Sequence, residues 1–157
     1  MAERVHVYER AFLVLSALML VAFLAALGYA AFEMGLHLPS RAGEIAPDAV
    51  GRTPPFDDPG VHELGPGRYE AVVVARAWGF TPTEIRVPVG AEVVFRVTSI
   101  DVIHGFYVEG TRINMMVLPG QISELAYTFD EPGEHLLICH EYCGVGHQAM
   151  FGKVIAE

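Results

Sequence analysis

Twenty-two consecutive residues carrying neither a charge nor a proline, Ala11 to Phe32, constrain this chain more than any other feature in it. The run reads AFLVLSALMLVAFLAALGYAAF, with Arg4 and Arg10 before it and Glu33 closing it. At about 1.5 Å of rise per residue, a helix of that length crosses the roughly 30 Å hydrocarbon core of a bilayer. A secretory signal has an apolar centre of only about 7–15 residues, and the small residues Gly28, Ala30 and Ala31 make a weak cleavage site. A core helix of a soluble protein normally shows a polar stripe, and this run has none. We therefore expect residues 1–38 to form an N-terminal segment with a single transmembrane helix retained in the lipid bilayer. Arg41 and Arg52 beyond the run equal Arg4 and Arg10 in number, so the basic flanks do not orient it.

From Pro39 to Gly67 prolines and glycines crowd the sequence and periodicity disappears. Residues 39–67 are expected to be a linker with little regular structure. After Arg68 the texture changes to short β-branched runs: 68–75, 84–89, 91–99, 122–129, 133–140 and 150–157. Pro82, Pro88, Pro119 and Pro132 punctuate them. Val93, Phe95 and Val97 alternate with Val94, Arg96 and Thr98, the period of a half-buried strand. Residues 68–157 thus predict an all-β domain, an antiparallel sandwich. The net charge of −9 lies wholly after the apolar run. It makes a poor nucleic-acid binder and fits either a basic partner or simply a well-solvated surface.

The only two cysteines, Cys139 and Cys143, open and divide the stretch CHEYCGVGHQAM, which ends at Met150. Thiolate, imidazole and thioether suit copper, and all three fall within twelve residues. A mononuclear blue site takes two histidines, one cysteine and a weak methionine, so one cysteine is in excess here. Two thiolates bridging two metal ions would use both, with one histidine to terminate each ion. His147 is one, and His104, in DVIHGF, is the best-placed second. A disulfide would leave His147 and Met150 at ligand spacing without a reason. A zinc site has no use for Met150 and usually pairs its ligands at shorter spacings. Phe106, Leu118, Ile138 and Phe151 are candidates for an apolar shell, or for ordinary core packing.

These residues resemble subunit II of the haem-copper cytochrome c oxidases. In that family a binuclear copper centre, CuA, has the pattern C-x-E-x-C-x3-H-x2-M with an upstream histidine. Cys139, Glu141, Cys143, His147 and Met150 match every position of it, and His104 matches the upstream ligand. The resemblance covers helix, linker and a cupredoxin-like Greek-key domain. With one membrane helix it is closest to the family's B branch.

It implies two copper ions bridged by Cys139 and Cys143, one completed by His104 and Met150, the other by His147 and the Glu141 carbonyl. It also implies an electron donor, cytochrome c, and a partner, subunit I, whose haem receives the electrons. Oxygen is reduced to water there, coupled to proton pumping. The copper domain would then lie on the outer, periplasmic side of the cell (plasma) membrane. In many relatives the glutamate at the position of Glu141 also reaches a magnesium ion at the subunit I border; a surface carboxylate is the plain alternative. Trp78, the only tryptophan, falls where relatives use an exposed aromatic to receive electrons; packing is its plain alternative. A membrane-tethered copper carrier working alone is the nearest rival reading. Nitrous-oxide reductase shares the copper motif but needs a propeller domain too large for 157 residues.

Overall fold

The computed structural model describes residues 2–33 and 39–157. Met1 and residues 34–38, which hold His37 and the boundary expected at 38/39, lie outside the described residues. Two units result, the helix and the β domain.

The helix α1 (Ala2–Glu33) has 32 residues, of which His6–Glu33 is long and apolar enough to cross a membrane. Its apolar side chains are exposed all round, Phe12, Leu20 and Phe23 among them. A helix packed within a soluble protein would hide such residues.

Among its described residues the β domain has eleven strands: β1 (Ser40–Glu44), β2 (Gly60–Gly65), β3 (Arg68–Arg76), β4 (Gly79–Thr81), β5 (Glu84–Val87), β6 (Glu92–Ser99), β7 (His104–Val108), β8 (Asn114–Val117), β9 (Gln121–Thr128), β10 (Gly133–Ile138) and β11 (Phe151–Ala156). One sheet runs β1-β9-β6-β3-β2 with β4 on β3, and the other runs β5-β11-β10-β7-β8. The expected sandwich is present, with two departures from a purely antiparallel one. The β3–β6 and β5–β11 pairs are parallel.

Val93, Phe95 and Val97 of β6 point inward, fully buried, while Val94 and Arg96 are half-buried on the other face. Phe106 of β7 meets Phe80 edge-on at 5.6 Å and Phe95 at 5.9 Å, and these rings fill the space between the sheets. Such contacts add to the burial term of each ring.

The linker expected over 39–67 is corrected by the structure. β1 pairs with β9 and β2 with β3, and a 3-10 helix spans Pro47–Arg52 between them. Ile45, Val50 and Phe56 pack on the outer face of β3 against Val72 and Val74. That cover explains why β3 reads as a continuous apolar run, AVVVA, with no alternation. A strand covered on both faces has no polar side to show.

Candidate metal centre

One end of the second sheet gathers the ligand candidates. β7 begins at His104, β10 ends just before Cys139, and β11 starts just after Met150. Because β10 is antiparallel to both neighbours, those three points coincide in space. Cys139 N–H donates to the Met150 carbonyl at 3.2 Å, continuing the β10–β11 ladder into the loop. The loop from Cys139 to Met150 is thus the closed connection of a hairpin. Its last turn is the 3-10 helix His147–Ala149, which aims His147 back at the cysteines.

The cysteine sulfurs lie 3.8 Å apart and are free thiols. A disulfide would need about 2.05 Å. Cys139 Sγ has the Glu141 carbonyl at 3.2 Å and His104 Nδ1 at 3.9 Å. Cys143 Sγ has His147 Nδ1 at 3.5 Å and Met150 Sδ at 3.6 Å. His104, Cys139, Cys143 and Met150 are all buried, His147 and Glu141 half-buried. The donors of His104, Cys139 and Cys143 fall within 4.8 Å of one another. All six expected ligand residues are therefore brought to one place.

Do these residues fit a metal? A metal–thiolate bond is about 2.3 Å, so sulfurs 3.8 Å apart are within the span of a single ion. Each sulfur also has a further nitrogen and a further soft or carbonyl donor beside it. Burial, followed by the neighbouring Cys139 thiol, pushes the Cys143 thiol up from 9.0 to about 11. A thiolate in this pocket is therefore costly unless a cation stands beside it. The mixture of thiolate, imidazole and thioether suits copper.

Asp101 was not anticipated. Its Oδ1 accepts from His104 Nε2 at 2.9 Å and from Val102 N–H at 2.7 Å, and its Oδ2 accepts from Ala77 N–H at 2.7 Å. Burial alone would raise this carboxyl; the bonds from His104, Ala77 and Val102 outweigh it and hold it below the usual carboxylate range. An ionised Asp101 keeps the proton of His104 on Nε2 and leaves the Nδ1 lone pair facing Cys139. In the sequence Asp101 reads as an ordinary turn residue, and nothing else marks it.

Trp78 comes to the site from the turn between β3 and β4. Although 49% exposed, it donates from Nε1 to the Cys143 carbonyl at 3.1 Å. Of the apolar shell candidates, Phe106 is fully buried, Leu118 and Ile138 are half-buried, and Phe151 is corrected. It is 58% exposed, because the first residue of β11 points away from the core. His140 is turned from the cysteines and bonds Asn114 Oδ1.

The sequence and the fold are both similar to those of known proteins. The family described as cytochrome c oxidase subunit II, periplasmic domain, matches residues 80–156. Cytochrome c oxidase subunit 2 of Thermus thermophilus is 45% identical over 154 residues, 96% of this chain and 92% of that protein. A chain of a heme-copper terminal oxidase dimer superposes with a TM-score of 0.78 at 36% identity, covering 95% of this chain and 99% of the other. The periplasmic domain of subunit II of a Bradyrhizobium japonicum cytochrome oxidase shares the fold, with a TM-score of 0.52, 19% identity, and coverage of 56% and 83%.

Proposed function

This chain belongs to the cytochrome c oxidase subunit 2 family, a subunit of an oxidoreductase complex, and from that premise we propose that it carries electrons into a haem-copper oxidase through a binuclear copper site. Cytochrome c is the donor and haem in subunit I the acceptor, where oxygen is reduced to water and protons are pumped. The helix α1 anchors the chain once in the plasma membrane, with the β domain on the outer side.

Two coppers would be held by Cys139 and Cys143 as shared thiolates. His104 and Met150 would complete one ion, and His147 with the Glu141 carbonyl the other, as the family pattern has it. When bound, the pair of ions supplies a one-electron couple spread over both metals. The chain's own part is to hold that couple still. Asp101 fixes the tautomer and angle of His104, the β10–β11 ladder fixes Cys139 against Met150, and the buried sulfurs keep water away. A site so constrained changes shape little between oxidation states. Trp78, exposed on one side and bonded to Cys143 on the other, is the point at which electrons enter. The Glu141 carboxylate, half-buried and without an ion pair among the described residues, is assigned to magnesium at the border with subunit I.

The observation that carries this reading is the pair of free sulfurs 3.8 Å apart, each flanked by two further donors. Copper stoichiometry together with the electron spin spectrum of the oxidised chain tests it. Two coppers sharing one delocalised unpaired electron are expected; a single ion, or a native disulfide, would overturn it. Co-purification with a multi-helix haem protein excludes a carrier that works alone.

A further inference from the structure

An exposed tryptophan is ordinarily free to change rotamer; Trp78 is not. Its ring lies against the ligand loop at Gly144 and Gly146, and its Nε1 donates to the Cys143 carbonyl. Two glycines make the room. Gly144 has φ +115°, a backbone conformation that only glycine adopts readily, so its identity is explained by the turn. Gly146 is different. Its φ of −92° and ψ of 8° lie in a region open to other residues, so the backbone does not ask for glycine there. What asks for it is the indole. A Cβ at position 146 would stand 2.5 Å from Trp78 Cδ2 and 2.7 Å from Cγ. Those atoms are at the root of the ring, where no small rotation relieves the clash. The turn that carries Trp78 is also tied down from behind, through Ala77 N–H to Asp101.

We propose that Gly146 is a positioning residue for electron transfer: its bare Cα seats the Trp78 ring against the ligand loop and so keeps the Trp78–Cys143 bond made. This rests on the reading of Trp78 and the two thiolates given above. In the step concerned, one electron leaves a reduced cytochrome c, which is oxidised, and is taken up at the copper site, which is reduced. No bond is made or broken and no proton is transferred. With the ring seated, the path from the donor surface to Cys143 runs through the indole, one hydrogen bond and one residue of backbone. With the ring displaced, that path is interrupted, although every ligand stays in place.

The test is Gly146→Ala, made in the full-length chain and in the assembled oxidase. Because Trp78 is the only tryptophan, its emission in the isolated chain reports the seat alone. Gly146→Ala should shift that emission to the red and open the ring to acrylamide quenching, while copper content and spin spectrum stay native. In the oxidase, reduction of the copper site by reduced cytochrome c should slow severalfold, to the extent seen in Trp78→Phe. The double variant should be no slower than either single one.

Native emission in Gly146→Ala, or losses that multiply in the double variant, would overturn the proposal. A displaced ring with a native rate would leave the seat standing and sink the assignment of Trp78 as the point of electron entrance, and the positioning role with it. Failure of the unsubstituted chain to hold two coppers would instead sink the reading beneath. Should Gly146→Ala not fold, Gly146→Ala with Trp78→Ala should, since the obstructing ring is gone; failure of that pair also counts against the proposal.

Discussion

Replacing Phe56 by alanine should cost the β domain about 3 kcal/mol, although Phe56 lies in a stretch with the composition of a linker. The ring is 1% exposed and packs with Ile45 and Val50 over Val72 and Val74, with Ile122 at the edge. Transfer of such a ring out of water is worth about 1.5–3 kcal/mol. The cavity left behind raises Phe→Ala costs to about 3–5 kcal/mol in well-closed cores. Here a cleft of about 230 Å³, lined in part by Val50, Gly51 and Val74, already adjoins the ring. The site can relax or admit water, so the low end applies. For a unit of about 120 residues, each kcal/mol moves the melting midpoint by roughly 4 °C, giving a drop of about 12 °C. Urea unfolding of the full-length chain in detergent, followed through Trp78 emission, should show a lower midpoint at unchanged slope. A loss below about 1 kcal/mol would refute the reasoning. It would mean that residues 45–56 merely lie on the sheet rather than close it.

Other outcomes follow from the metal site. In the metal-free chain the Cys143 thiol is raised to about 11, so the fold holds that proton more tightly than the unfolded chain does. Its contribution is complete below the unfolded value of 9.0 and is lost as pH rises through about 11. The melting midpoint of the metal-free chain should fall across that window, and Cys143→Ser should flatten the fall; an equal slope in both would refute the assignment. Asp101→Asn keeps the shape but loses the charge that orients His104, and should weaken copper binding by about 10–100-fold. Competition with a copper chelator measures it, and native affinity would show that His104 needs no such support.

Legibility in the sequence followed the range of the interactions. The ligand loop was readable because five of its candidates sit within twelve residues and their chemistry is jointly rare. β6 was readable because Val93, Phe95 and Val97 alternate. β1, with the sequence SRAGE, was not, because it buries almost nothing and is a strand only through its backbone bonds to β9. Val50 and Phe56 were hidden for the opposite reason: their burial is complete, but they stand alone among breakers, with no period to betray them. Pairing direction left no trace either, since alternation is the same in parallel and antiparallel strands. The partnership of Trp78 with Cys143 spans 65 residues, and that of Ala77 with Asp101 spans 24. Such contacts exist only once the chain has folded.

The placement of β11 has a consequence for how the protein is made. That strand sits inside its sheet, hydrogen-bonded to β10 on one side and β5 on the other, and Met150 directly precedes it. Residues 151–156 are translated more than a hundred positions after α1. Until that last ribbon slides between its neighbours, the hairpin neck from Cys139 to Met150 has nothing to hold it shut. An ion that needs the donors of His104, Cys139, Cys143 and Met150 together therefore has no complete site until that sheet has closed.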